Sequence, residues 1–169
     1  MVETVKIEGL RELREALMKT VPEHMRGRVL QQALGAGARL VVTDARRRAP
    51  MKTGTLKRAI YATRNKRGSN QVREERVVTV RQGKRAGKKD AFYWRWVEFG
   101  RGTVEAGRGT RVLGKPGKGF FGRQVRAVPA RPFLRPAFES QKVAAVDSIR
   151  ARLAKELDAA AAKAPKYRR

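Results

Sequence analysis

The apolar positions of the first fifty residues change from strand spacing to helix spacing. Residues 2–8 alternate apolar with polar side chains, which predicts a short strand. Three leucines between residues 10 and 17 share one helical face, which predicts a short helix. A longer helix is predicted from about Glu23 to Arg48, because Pro22 suits a first helical turn and Pro50 cannot continue a helix.

The predicted long helix carries small residues along its apolar side. Gly35 and Gly37 each cost about 1 kcal/mol relative to alanine in a helix. Two glycines in one turn therefore indicate a close neighbour or a slight bend. The apolar residues predicted to share a face are Leu30, Leu34, Val41 and Ala45, and the small residues Ala33, Gly37 and Ala38 lie beside them.

The middle of the chain predicts short elements separated by turns. Residues 53–55 (Thr-Gly-Thr) predict a turn, and residues 56–63 predict a helical turn followed by a strand. Residues 76–81 contain three valines and predict another strand. A loop rich in glycine and lysine is predicted over 82–89. The aromatic segment 91–99 (AFYWRWVEF) is compatible with a helix or with an extended strand.

The last third of the sequence combines a long loop with a final helix. Residues 100–128 contain eight glycines and predict a long loop, with a short strand at 125–128. Pro132 and Pro136 lead into the last helix. The residues predicted for its buried stripe are Phe138, Val146, Ile149, Leu153 and Leu157.

Together these elements predict the α+β fold class. Strands joined by hairpin-like loops form a small antiparallel sheet, which we expect to pack against the long helix and the C-terminal helix. The 169 residues suit one compact domain. We place a single α+β domain at 1–164, with 100–128 as a long inserted basic loop and 165–169 as a basic tail.

Charge narrows the range of partners. The chain holds 41 Lys and Arg against 15 Asp and Glu, a formal net charge of +26. Repulsion among so many positive charges destabilises the compact fold, and a partner of opposite charge would relieve it. Such a partner could be nucleic acid, an anionic membrane surface or an acidic protein face. The sequence has no cysteine, no signal-like N-terminus and no apolar run of membrane-spanning length. We therefore expect a protein made in a cytoplasm, with no membrane partner.

The sequence contains few residues that could serve in catalysis. His24 is the single histidine, and we expect it to have a surface or capping role. Acids between residues 35 and 140 are few, so paired carboxylates for acid–base catalysis or for a metal are hard to assemble. The glycines of 100–128 lack the strand-to-helix context of a nucleotide-binding loop. We predict no enzyme activity, no metal and no cofactor.

Three features leave more than one interpretation open. The consecutive arginines Arg46, Arg47 and Arg48 either complement the helix dipole or contact phosphate or an acidic partner. The aromatic segment 91–99 either forms core and subunit contacts, which we favour, or is a stacking platform for single-stranded nucleic acid. The loop 100–128 is either a basic arm that binds nucleic acid or an assembly loop that orders against a neighbouring subunit.

Three segments match the motifs of one known family. Its A-P-x-x-T-G-x-L-x-x-S-I signature is matched by Ala49, Pro50, Thr53, Gly54 and Leu56, with Ala59 in place of the serine. Its Y-x-x-x-x-E-F-G segment is matched by Tyr93, Glu98, Phe99 and Gly100. Its closing A-R-P-F-L-R-P-A motif is matched by Ala130, Arg131, Pro132, Phe133, Leu134 and Pro136. In the order and spacing of these motifs, the chain resembles the neck or minor tail component family of long-tailed phages, also known as head–tail joining or tail completion proteins and related to the lambda minor tail protein Z.

This resemblance implies a structural virion protein that forms a ring at the head–tail junction or tail end, with six-fold symmetry and DNA passing through its lumen. The implied partners are further copies of the chain, neighbouring neck, connector and tail-tube proteins, and genomic DNA in the channel. The implied location is the tail or neck of the virion, after assembly in the host cytoplasm.

The candidate contacts to a partner or to DNA are six basic residues. They are Arg46, Arg47 and Arg48 in the long helix, and Arg108, Arg111 and Lys115 in the long loop. We expect the loop to meet acidic faces of adjoining rings, because a passage for DNA should not grip DNA strongly.

Charge alone also fits a second function, that of a basic nucleic-acid-binding protein of ribosomal or nucleoid type. Such a protein needs no partner protein, and its affinity falls linearly with salt on a log–log scale. A salt-resistant homo-oligomeric ring favours the phage interpretation instead.

Overall fold

The computed structural model describes residues 10–70, 72–83, 90–107, 113–115 and 119–163 of the chain, and within them it is a mixture of helices and small sheets. The helices are α1 (Leu10–Thr20), α2 (Glu23–Arg48), α3 (Thr55–Ala59), α4 (Trp94–Phe99) and α5 (Leu134–Lys163). The strands are β1 (Ile60–Arg64), β2 (Arg76–Val80), β3 (Val104–Glu105), β4 (Leu113–Lys115), β5 (Gly119–Gly122) and β6 (Gln124–Val125). This confirms the predicted α+β class. The predicted strand at 2–8 and the predicted tail at 165–169 lie outside the described residues.

The strands form antiparallel pairs, β1 with β2, β3 with β6, and β4 with β5. Hydrogen bonds flank the β1–β2 pair at both ends. Asn65 N–H donates to the Glu75 carbonyl at 2.9 Å, and Arg81 N–H donates to the Ala59 carbonyl at 3.0 Å. Because the partners run in opposite directions along the two strands, this pair is antiparallel.

The chain divides into two compact units. The first unit consists of residues 1–42, 62–78 and 141–169, and the second consists of residues 43–61 and 79–140. Both long helices contribute to both units, since α2 passes from the first to the second after Val42 and α5 passes from the second to the first after Ser140.

The core of the first unit is formed by α1, α2 and α5 and the residue after α1. Its buried members are Leu17, Val21, Val29, Ala33 and Leu153. A Cβ on Gly37 would lie 2.8 Å from the Ala145 carbonyl oxygen and from the Ile149 side chain, so α2 and α5 approach each other closely here. The close neighbour predicted from the glycine pair is thus confirmed.

The buried stripe of α2 is centred on Gly37 and differs from the predicted one. Val29, Ala33, Val41 and Ala45 are buried, whereas Leu30 and Leu34 are only half-buried. The prediction is thus confirmed for Val41 and Ala45 and wrong for the two leucines. The observed stripe follows the point of closest helix approach, where only a small residue fits.

A buried carboxylate lies in the first unit. The Glu74 side chain is fully buried and pairs with Arg64 at 2.8 Å and with Arg76 at 3.8 Å. Arg76 also donates to the Gln31 carbonyl of α2 at 2.9 Å. The Arg76–Gln31 contact is a charge-assisted hydrogen bond and fixes β2 against α2.

The most deeply buried large residues of the second unit lie in α3, in β1 and around the start of α5. Leu56, Ile60, Phe133 and Ala137 are each at most 2% exposed. Phe138 was predicted to belong to the buried stripe of α5, and this is wrong, because it is 56% exposed. Phe133 and Ala137, four residues apart, take the inward positions, and the next residue along the helix therefore points away from them.

The described part of the segment predicted as a long loop contains short paired strands. Arg101 bridges Val128, β3 pairs with β6, and β4 pairs with β5, so the described parts of residues 101–128 form a two-stranded antiparallel arm. The short strand predicted at 125–128 is β6 at Gln124–Val125 together with the bridge at Val128. We call residues 101–128 the arm.

Candidate functional site

All three family motifs lie in the second unit, and a backbone hydrogen bond joins the second motif to the third. The first motif ends α2 and forms the turn before α3. The second motif contains α4, and the third leads into α5. The Arg131 N–H donates to the Val97 carbonyl at 2.7 Å, which joins the third motif to α4.

Glu98 caps the N-terminus of α5 from a distant part of the sequence. Its carboxylate is 4% exposed and accepts three backbone hydrogen bonds, from Phe133 at 2.8 Å, Leu134 at 3.0 Å and Arg135 at 3.0 Å. Pro136, the next residue, has no N–H to satisfy. A negative charge at this end also complements the helix dipole. The glutamate of the second motif thus holds the third motif in place.

Gly100 permits the chain to turn directly after α4. Its φ is +75°, and an added Cβ would lie 3.1 Å from the Ala130 nitrogen and from the Val128 carbonyl oxygen. Glycine is the residue that adopts this conformation without strain. Directly after it, Arg101 and Val128 exchange backbone hydrogen bonds of 2.9 and 2.8 Å, which form the base of the arm.

The turn of the first motif depends on Gly54. This residue has a φ of +70° and precedes α3, where its carbonyl accepts the Arg58 N–H at 3.1 Å. The Thr53 hydroxyl donates to the Thr55 hydroxyl at 3.0 Å. The Arg58 guanidinium donates to the Thr53 carbonyl at 3.2 Å, so this cation lies beside the turn.

A groove of about 370 Å³ lies where the three motifs meet. We call it the motif groove. Its lining residues are Pro50, Met51, Lys52, Thr53, Gly54, Leu56, Tyr93, Val97, Val128, Pro129 and Arg131. The lining is mostly apolar, and its charged members, Lys52 and Arg131, are both basic. Such a volume and lining are typical of a preformed binding site.

The aromatic segment is helical and largely at the surface. Phe92 is 54% exposed, Trp96 is 39% exposed and Phe99 is 69% exposed, so the prediction that this segment is core is wrong for these three residues. The buried residue of α4 is instead Glu98. Subunit contact and nucleic-acid stacking, the other interpretations of the segment, both remain predictions.

Arginine side chains stack on both tryptophan rings of the segment. The Arg101 guanidinium lies 4.7 Å from the Trp96 ring centroid, and Arg95 lies 5.6 Å from that of Trp94. Phe92 meets the Trp96 ring edge-to-face, with centroids 5.8 Å apart. These contacts order the exposed rings through cation–π and quadrupole attraction.

The three consecutive arginines of α2 are engaged within the second unit. Arg46 donates to the Ile60 carbonyl at 3.2 and 2.7 Å. Arg47 and Arg48 both pair with Asp44, which is buried, and Arg48 does so at 2.6 Å. Their predicted contact with a partner or with DNA remains a prediction.

Asp44 is the anion that holds this cluster together. The hydrogen bond from Arg48 lowers the pKa of Asp44 from 3.8 to about 2. Burial opposes this pKa shift, and hydrogen bonds from Ser140 and Arg47 reinforce it. The Ser140 hydroxyl donates to the carboxylate at 2.8 Å, which links α2 to the first turns of α5 within the second unit.

The arm candidates fall mostly outside the described part of the chain. Arg108 and Arg111 are not among the described residues. Lys115 lies in β4, opposite Gly119 in β5. The described arm residues from Gly102 to Glu105, and from Gly122 to Gln124, are all exposed.

The described residues also bear on metals and membranes. Within them, no three His, Cys, Asp or Glu side chains form a group that could hold a metal ion. None of the helices in the same ranges is both long and apolar enough to cross a membrane. His24 lies in the first turn of α2, and its side chain is outside the described part.

Sequence reasoning missed the capping role of Glu98. A carboxylate that caps a helix 35 residues away leaves no local pattern. One signal was present, however. The residues before α5 (Ala-Arg-Pro-Phe) offer no Ser, Thr, Asp or Asn to cap it, so a cap had to come from elsewhere.

Comparison with known proteins agrees with the motifs. The family model HK97-gp10-like, which describes the bacteriophage HK97-gp10 tail component, matches residues 11–100, just over half of the chain. The matched region runs from α1 to Gly100 and includes the Gly54 turn and Glu98. No curated protein and no solved structure matches the chain. The chain therefore belongs to the HK97-gp10-like family of bacteriophage tail components.

Proposed function

We propose that the chain is the subunit of a homo-oligomeric ring at the head–tail junction or tail end of a tailed bacteriophage, where it acts as a tail-completion or neck protein. Family membership makes it a structural tail protein carried in the virion. We further propose that the ring has six-fold symmetry, that it lies at the neck and that DNA passes through it. We also propose that the chain is related to the lambda minor tail protein Z.

The observation that carries the proposal is the exposed arm. Strands β3 and β6 of the arm are paired to each other, yet Val104, Glu105 and Gln124 are exposed and Val125 is only half-buried. A two-stranded ribbon is marginally stable alone in water. Its free edges also leave backbone groups available for pairing with another chain. In a ring every subunit has a neighbour on each side, and an arm that reaches a neighbour gains the support it lacks alone.

The surface aromatics support the same proposal. Phe92, Trp96 and Phe99 expose apolar area on one short helix and the residues before it. Aromatic residues are enriched at protein interfaces, and exposed apolar patches often mark them. Burial of these rings against a neighbouring subunit would remove that area from water.

The basic residues of the arm have a separate proposed role. The sequence from 100 to 128 has seven basic residues and one acidic. Like-charged arms of a ring repel one another, so these groups are better placed against acidic faces of adjoining rings. Contact with DNA in the channel is a secondary role, since strong binding would slow DNA passage.

Two experiments test the function. Purified full-length chain should form a ring that survives high salt, as seen by light scattering and negative-stain microscopy. Charge reversal at Arg108, Arg111 and Lys115 should leave the circular dichroism spectrum unchanged and block the joining of heads to tails in infected cells. Normal joining with this variant would contradict the proposed role of the arm.

A salt series separates the ring from the alternative function. A nucleic-acid-binding protein of ribosomal or nucleoid type should retain DNA on filters with an affinity that falls linearly with salt on a log–log scale. Monomeric protein with such DNA binding would favour that alternative over the ring.

A further inference from the structure

We propose that the motif groove is a docking site for an acidic peptide segment with one large apolar side chain, supplied by a different tail protein. The identity of the partner as a tail protein rests on the proposed function. The docking chemistry rests on the groove itself.

The floor of the groove is apolar and held in a fixed shape. It includes Leu56, which is 2% exposed, together with the side chains of Tyr93, Val97, Val128 and Pro129. The Arg131–Val97 hydrogen bond and the Arg101–Val128 pair fix the walls on either side. A preformed site of this kind binds without an ordering cost, and an apolar side chain in it leaves water.

The rim of the groove is basic. Lys52 and Arg131 line it, and the Arg58 guanidinium lies beside the adjoining Thr53–Gly54 turn. None of the lining residues is acidic. Two acids of the same unit, Asp44 and Glu98, are each 4% exposed and already hydrogen-bonded. A carboxylate at the rim would therefore meet attraction without local repulsion.

Charge selects a different protein rather than a second copy as the occupant. Basic residues outnumber acidic ones by 41 to 15 in the chain, so most segments of another copy would bring further cations to a rim that is already basic. Nucleic acid is disfavoured by the lining, because Tyr93 is its single aromatic residue and the surrounding prolines and valines offer no planar surface on which successive bases could stack. Protein–protein interfaces typically have an apolar centre surrounded by a polar or charged rim, as this groove does.

The absence of cysteine from the sequence makes a site-specific probe possible. Met51 lines the groove and is 74% exposed, so the single variant Met51→Cys places a thiol at the site. Val72 is 55% exposed in the first unit and gives the matched variant Val72→Cys. Each variant is labelled with N-ethylmaleimide as free protein and within purified phage particles.

If the groove is occupied in the particle, the Met51→Cys thiol should react about tenfold more slowly there than in the free protein, because thiol reactivity follows exposure. A benzophenone maleimide attached to the same thiol should cross-link to one short stretch of another tail protein. That stretch should contain an excess of Asp and Glu and one large apolar residue. The Val72→Cys probe should not cross-link to the same stretch.

A synthetic peptide of the cross-linked stretch then tests the chemistry. It should bind the free protein, and the double variant Lys52→Glu/Arg131→Glu should weaken binding at least about tenfold. Arg123→Glu, an exposed charge reversal in the arm, should leave the peptide affinity within about twofold, because Arg123 is not among the lining residues and its charge is screened by solvent. Equal weakening by both would overturn the proposal.

The remaining outcomes separate this proposal from the proposed function. If the chain is absent from purified particles, the proposed function fails. If it is present but the Met51→Cys thiol labels as fast in particles as in free protein, only the docking site fails. Cross-linking to a second copy, to DNA or to a basic stretch also overturns the docking site and leaves the tail role intact.

Discussion

Because Glu98 caps α5, we expect the replacement of one oxygen of its carboxylate to lower the stability of the protein markedly. In Glu98→Gln, an amide N–H₂ replaces one carboxylate oxygen. That oxygen accepts either the Arg135 N–H or the Phe133 and Leu134 N–H groups, so at least one backbone donor then faces another donor. A hydrogen bond to a charged group is worth about 1.5–3 kcal/mol, and the lost charge at the helix N-terminus adds about 0.5 kcal/mol. We expect Glu98→Gln to destabilise the protein by about 2–3 kcal/mol.

Truncation of the Glu98 side chain should lower the stability of the protein more than the change to glutamine does. Glu98→Ala leaves all three backbone donors without their acceptor in a buried place, at about 1–3 kcal/mol each before water relieves some of them. The sum approaches the whole stability of a typical domain, about 5–15 kcal/mol. The glutamine variant is therefore the informative one, because it is expected to remain folded.

Urea unfolding measures the effect at the site itself. Trp94 and Trp96 are the two tryptophans of the chain, and both lie in α4 beside Glu98. A loss of about 2–3 kcal/mol should lower the urea midpoint by about 1–2 M. The matched control is Glu105→Gln, an exposed carboxylate that accepts a hydrogen bond from Gln124 at 3.1 Å, with an expected loss below about 0.5 kcal/mol. Equal midpoints for the two variants would refute the capping role.

Two further predictions concern helix packing and pH. Gly37→Ala should destabilise the protein by about 1–3 kcal/mol, because its Cβ would lie 2.8 Å from the Ala145 carbonyl oxygen. In Gly35→Ala the new Cβ would lie at an ordinary contact distance of 3.5 Å from the Arg76 side chain, so this variant should stabilise the protein by up to about 1 kcal/mol. Thermal unfolding of both variants tests the two predictions. The folded pKa of Asp44 lies below 3.8, so its stabilisation is present above that pH and is lost toward pH 2. Asp44→Asn should flatten the fall of melting temperature over this pH range, and an unchanged slope would contradict the prediction.

Local sequence signals predicted the helix ends and turns well. The long helix was expected from about Glu23 to Arg48 and is found at Glu23–Arg48, because the prolines that limit it act within one turn. Gly54 was expected in a turn and has the positive φ that such a turn requires. These features depend on neighbours in the sequence, and a sequence pattern can therefore identify them.

Features that depend on distant partners could not be predicted in the same way. The arm pairs Arg101 with Val128 across 26 intervening residues, and its many glycines have low strand propensity, so the pattern indicated a loop. The exposure of Phe138 follows from the inward positions of Phe133 and Ala137. The capping of α5 by Glu98 joins two motifs that no local rule connects.

The placement of the acids shows how one strongly basic chain can meet two kinds of partner. Glu74, Asp44 and Glu98 are buried and neutralised locally by guanidinium or backbone N–H groups, so they offer little to a cation on another copy. In the proposed ring, contacts between copies of the chain would then rely mainly on apolar area and on backbone pairing, which the surface aromatics and the arm can supply. The exposed cations remain for partners of opposite charge. Self-assembly and recognition of other tail proteins can thus use different surfaces and respond to salt in opposite directions.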